Sequence, residues 1–165
     1  MNRISCGGLF VKIIFLDFDG VLNTAEFLDK LEPVPYATHL GAKLLSRELD
    51  PVRVQCINDI VELTGAKVVV TSAWRVGSTL QWLEQVLRHA GFVGEVVGKT
   101  QRFYGRPRSE EIQDWLEFRE QEIESFVILD DDVSANIEGH FIETSFHEGL
   151  TKAHVPQAIE ILFTL

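Results

Sequence analysis

Hydrophobic positions in this chain fall into short unbroken runs separated by helical stripes. Ile13, Ile14, Phe15 and Leu16 form a β-branched and aromatic run without polar alternation, the pattern of a strand buried on both faces. Lys67 to Val70 repeats it through Val68, Val69 and Val70, and Phe126 to Leu129 repeats it again. Glu95 to Val97 and Phe141 to Thr144 are weaker strand candidates. Between these runs the apolar spacing turns helical. Asp50 as N-cap and Pro51 at the first helical position open a helix carrying Val52, Cys56, Ile57, Ile60, Val61 and Leu63 to a stop at Gly65. A second helix is expected over about Ser78 to Ala90, with Leu80, Leu83, Val86 and Leu87 facing inward and Gly91 ending it. A third begins at Ser109, with Ile112, Trp115, Leu116 and Phe118 as its apolar positions. Thr151 with Val155 to Leu162 makes a C-terminal helix. Apolar strands alternating with helices imply an α/β fold, a three-layer doubly wound parallel sheet of about five strands.

Such sheets bind ligands beyond the carboxyl ends of their strands. Three polar groups lie there: Asp17 and Asp19 after the first run, Thr71 and Ser72 after the second, and Asp130, Asp131 and Asp132 after Leu129. Residues i and i+2 of an extended chain point the same way, so Asp17 and Asp19 reach one pocket while Phe18 turns back toward packing. Carboxylates that close repel unless a cation or a shared proton compensates them. For Asp17 to Gly20 alone the competing reading is an ordinary Asp-Gly turn. The coincidence of three strand ends argues against it.

At 165 residues the chain suits a single domain, 1–165, with the mixed segment Thr24 to Leu49, which holds Pro33 and Pro35, as the place for a small cap insertion. With 45% hydrophobic and 24% charged residues its composition is that of an ordinary globular protein. The apolar stretch Leu9 to Leu16 is broken by Lys12 and followed by Asp17, so neither a signal peptide nor a membrane span is expected. A cytoplasmic location is the default expectation. Cys6 and Cys56 lack metal-ligand spacing and are expected to be reduced, structural thiols; no histidine has that spacing either, and no zinc is expected.

The net charge of −10 argues against a broad electrostatic footprint for duplex nucleic acid. Its distribution tells more. Lys99, Arg102, Arg106 and Arg108 lie within ten residues that hold no acid and that include Phe103 and Tyr104, which suits an anionic ligand or, in the bland reading, a solvated basic loop.

The motifs DFDGVLN, VVVTS, a basic residue before a helix, and ILDDD stand in that order at successive strand ends. Together they resemble the haloacid dehalogenase superfamily of phosphohydrolases over almost the whole chain. VVVTSAWR, RSEEIQDWL and VILDDD further resemble small domains of that superfamily associated with RNA-repair proteins. The resemblance implies Mg²⁺-dependent phosphomonoester hydrolysis. Asp17 would be the nucleophile that forms an aspartyl-phosphate, and Asp19 the general acid and base. Thr71, with Ser72 assisting, and Arg108 would bind the phosphoryl oxygens. Asp17, the backbone carbonyl of Asp19, and Asp130 or Asp131 would hold Mg²⁺. Lysine is more usual than arginine at the third motif, which keeps Lys99 and Arg106 as alternatives to Arg108. Asp132 is read as a cap for the turn after it.

Arg75, Arg102 and Arg106 are candidate substrate contacts. Trp74, Trp82 and Trp115 are read as packing; surface positions are the default reading for the histidines, with His147 the one candidate for a place near the site. A minimal cap leaves the site open to large substrates, so the phosphorylated substrate is either a small ester or a nucleic-acid end stacked on Phe103 or Tyr104. The alternatives are a non-catalytic phosphate-binding or regulatory module of the same fold and a mutase-like phosphoryl transferase.

Overall fold

The computed structural model describes residues 10–34, 41–119 and 122–164. Five strands, β1 (Val11–Leu16), β2 (Lys67–Val70), β3 (Val96–Lys99), β4 (Ile123–Asp130) and β5 (Phe141–Glu143), form one parallel sheet in the order β3-β2-β1-β4-β5. β1 occupies the centre, which is why its run is apolar on both faces. Ile14 and Leu16 join Val68, Val70, Val127 and Leu129 in one core, while Ile13 and Phe15 join Val69 and Ile128 in the other. Strand periodicity alone sorts them.

The first core is covered by α3 (Pro51–Thr64), α4 (Leu80–His89) and α6 (His154–Phe163). The second is covered by α5 (Arg108–Glu117), whose Trp115 meets Phe15 edge to face at 5.5 Å. α3 follows its sequence signals: the Asp50 side chain accepts from the Val52 N–H, and Gly65 ends the helix at φ +68°. Two short helices, α1 (Ala25–Asp29) and α2 (Ala42–Leu45), occupy the expected cap segment; Pro35 within it lies outside the described residues, as does Cys6. Cys56 is a buried free thiol. No helix among the described residues is long and apolar enough to cross a membrane.

β4 begins three residues before the apolar run that predicts it. Its polar start is stabilised by partners distant in sequence: Glu124 accepts from Lys12 Nζ at 2.7 Å, and the Ser125 hydroxyl donates to the Leu162 carbonyl at 2.7 Å. α6 starts at His154 rather than Thr151, because the His154 ring takes the Thr151 N–H at 3.0 Å and closes a turn ahead of the helix.

Candidate active site

The carboxyl ends of β1, β2 and β4 lie side by side. The Asp17 N–H donates to the Leu129 carbonyl, and the Thr71 N–H to the Leu16 carbonyl, so register alone sets the three polar groups next to one another. Asp17 is 4% exposed and Asp130 is fully buried. Carboxylate oxygens of Asp17, Asp130 and Asp131 lie within 4.8 Å of one another. Gly20 permits this. Its φ is +75°, and a Cβ there would stand 2.2 Å from Asp131 Oδ2, so both its backbone conformation and the space beside it require glycine. The Asn23 side chain accepts the Gly20 N–H at 3.1 Å and the Thr144 hydroxyl donates to the Gly20 carbonyl at 2.7 Å, which holds the turn in place.

Arg108, the first residue of α5, supplies the opposing charge. One guanidinium nitrogen donates to Asp17 Oδ2 at 2.8 Å and to Asp130 Oδ2 at 2.5 Å. Burial works against the charge on Arg108, but Asp17 and Asp130 outweigh it and hold the guanidinium more firmly protonated than usual. For Asp130 the balance differs. Burial, and then the neighbouring Asp17 charge, push its carboxyl up to about 7 despite Arg108. Burial followed by Asp17 also raises Asp131. Two donors around this cluster lack partners among the described residues: the buried Thr71 hydroxyl and Arg108 Nε. Buried polar atoms are rarely left so, and donors in this state suit an anionic ligand.

The other candidate residues divide. Asp19 does not join the three-carboxylate cluster through its side chain: Oδ1 accepts from Asn23 at 2.8 Å and Oδ2 from Trp74 Nε1 at 3.0 Å. The Ser72 hydroxyl caps its own turn by accepting the Trp74 N–H at 3.3 Å. Asp132 caps the 3₁₀ turn Val133–Ala135 through the Ser134 N–H. Lys99 turns away from the carboxylates, donating to the Arg75 and Ser78 carbonyls, which leaves Arg108 as the cation on Asp17.

Two of the arginines expected to meet substrate are otherwise engaged. Arg75 is 2% exposed, with its guanidinium bound to the Thr71, Ser72 and Thr100 carbonyls and to Glu111 Oε2 at 2.6 Å; it braces the site from inside. Arg106 is paired with Glu110 and Asp114 and lies over the Phe103 ring. Arg102 and Tyr104 are more accessible, 40% and 89% exposed, with Arg102 Nη1 3.5 Å from Glu111 Oε1. His147 is exposed. Trp74, read from sequence as packing, packs its ring against the first core and also donates to Asp19. Neither Asn23 nor Glu111 carries a distinct signal in the sequence; the four-residue step from Asp19 to Asn23, in a tight turn after DFDG, is the one cue to the first.

A cavity of about 590 Å³ lies elsewhere, along the first half of β4 between Gln113, Leu116, Ile123, Phe126 and His140. The chemistry stays at the strand ends. There the donor set is all oxygen, three carboxylates converge, and the glycine cradle lets Asp131 approach, which together fit a hard divalent cation such as Mg²⁺. Comparison with curated proteins and with solved structures finds no match. The family model described as the HAD domain in Swiss Army Knife RNA repair proteins matches residues 13–155, spanning β1 to the start of α6 with every strand end just described, and the chain therefore belongs to this family of the haloacid dehalogenase superfamily.

Proposed function

We propose that this phosphatase-like module hydrolyses phosphate monoesters with Mg²⁺, through an aspartyl-phosphate (acyl phosphate) at Asp17. In the first step an Asp17 oxygen attacks phosphorus and the bond to the leaving oxygen breaks, while Asp19 gives that oxygen a proton. In the second, Asp19 takes a proton from water, the water oxygen attacks phosphorus, and the Asp17–phosphorus bond breaks to release inorganic phosphate. Thr71 and Arg108 donate to the phosphoryl oxygens throughout. Asp17, Asp130 and Asp131, with the Asp19 carbonyl, would hold the metal. Its chemistry there is to neutralise charge on the phosphoryl group. The observation that most supports this reading is the pair of buried, unpartnered donors, Thr71 Oγ1 and Arg108 Nε, on two residues set against Asp17.

The family description points to RNA repair, and the accessible residues of the loop between β3 and α5 are consistent with a polynucleotide end as substrate. Arg102 would meet a phosphate, and Tyr104 offers an open ring for a terminal base. Phosphate release is measured from p-nitrophenyl phosphate, nucleotides and 3′-phosphorylated oligonucleotides with Mg²⁺, for wild type and Asp17→Asn. Release abolished by Asp17→Asn supports the catalytic reading; no release from any substrate, or release unaffected by Asp17→Asn, overturns it. A preference for oligonucleotides that is lost in Arg102→Ala and Tyr104→Ala supports the polynucleotide end, and equal rates on mononucleotides overturn it.

A further inference from the structure

Trp74 lies in the 3₁₀ turn Ala73–Arg75 after β2, yet its indole reaches the loop after β1. Its Nε1 donates to Asp19 Oδ2 at 3.0 Å, and its ring meets Phe18 edge to face with centroids 5.4 Å apart. The other Asp19 oxygen accepts from Asn23, which is itself buried and fixed by the Gly20 N–H. We propose that Trp74 is a positioning residue for Asp19, holding its carboxylate in the orientation from which it exchanges a proton with the leaving oxygen and with water. The proposal rests on the proton-carrier role given to Asp19 above.

A short carboxylate side chain has two free torsions, and a donor on each oxygen removes both. The indole that does half of this is itself immobilised. Phe18, fully buried, packs against one edge of it, and Ser72 caps the backbone N–H of Trp74. Trp74 thus links the end of β2, which carries Thr71, to the loop that carries Asp17 and Asp19. Orientation fixed before the substrate arrives lowers the barrier, because it need not be purchased during the reaction. A purely packing tryptophan makes a different prediction: truncation to phenylalanine removes part of the ring as well as the N–H, and a packing loss falls equally on every substrate.

The test compares Trp74→Phe with wild type on p-nitrophenyl phosphate, whose leaving group needs little protonation, and on an alkyl phosphate, whose leaving group needs a proton. The expected result is that the alkyl-to-aryl ratio of kcat/KM, which covers the steps up to loss of the leaving group and not the later hydrolysis common to both substrates, falls by about tenfold, the loss of one charge-assisted hydrogen bond. Equal losses on both substrates, or none, would overturn the proposal with the hydrolase reading intact. A wild type that releases phosphate from neither substrate would overturn both. If Trp74→Phe does not fold, replacing the indoles with benzothienylalanine keeps their shape and removes the N–H. The same fall in the ratio is then expected, and an unchanged ratio counts against the proposal.

Discussion

Arg75 and Glu111 form an ion pair of 2.6 Å with side chains only 2% and 0% exposed, and it joins the turn after β2 to the helix that carries Arg108. The remaining Arg75 donors reach the Thr71, Ser72 and Thr100 carbonyls, while the second Glu111 oxygen accepts the Phe103 N–H at 2.8 Å. One buried pair therefore braces the residues around both Thr71 and Arg108. Burial lowers the Arg75 pKa despite its partner, which reflects the desolvation such a pair must offset.

Breaking that pair leaves either the Arg75 charge without its carboxylate or Glu111 with only the more exposed Arg102 at 3.5 Å. Arg75→Met or Glu111→Met is expected to cost about 3–5 kcal/mol in urea denaturation, and the double variant less than the sum of the two. Single variants as stable as wild type would show that the interior at this point is solvated.

Arg108 holds together two carboxylates that otherwise repel. In the metal-free protein Arg108→Gln is expected to lower the thermal midpoint, with Mg²⁺ recovering more of the loss than it adds to wild type, since a ligand that binds only the folded state stabilises it. Phosphate release should fall by at least about a hundredfold, as for other removed donors to a developing oxyanion. A variant with wild-type turnover would transfer the cation role elsewhere, to Lys99 or Arg106.

The Asp130 carboxyl titrates near 7 when folded, against 3.8 for a free side chain. A folded pKa raised above the unfolded one means that the folded state keeps its proton longer. The stability contributed is fully present below about pH 4 and is lost as pH rises through about 7. Metal and proton compete for the same carboxylate, so Mg²⁺ affinity should rise over that upper range, by about tenfold between pH 6 and pH 8. Calorimetric titration at the two pH values checks this. Equal affinities would exclude Asp130 from the metal site.

Gly20→Ala tests the cradle. The added Cβ meets Asp131 at 2.2 Å and the backbone holds φ at +75°, so a loss of about 1–3 kcal/mol in stability is expected together with weaker Mg²⁺ binding. Unchanged Mg²⁺ binding in a folded variant would separate Asp131 from the metal.

Much of the site was legible because its residues follow apolar strands. A run such as Ile13 to Leu16 needs burial on both faces, only a parallel sheet covered by helices provides it, and such a sheet gathers Asp17, Thr71 and Asp130 at one edge. Helix boundaries set by local chemistry, such as Asp50-Pro51 and Gly65, were legible for the same reason. Less could be read where a side chain has several partners of equal chemical merit. Arg75 and Arg102 are both arginines near the second and third motifs, but one is buried against carbonyls and the other faces solvent. Trp74 carries an apolar ring that sequence assigns to packing, and its single polar atom found Asp19.

The sequence by itself determined the parallel α/β sheet, the strand ends that bear chemistry and the family motifs, because periodicity and local backbone preference are properties of neighbouring residues. Tertiary structure alone decided that Arg108 rather than Lys99 faces Asp17, that Arg75 is internal, and that Trp74 and Asn23 hold Asp19. Those outcomes depend on which donors and acceptors meet across distant segments, and on which charges lose water when they do.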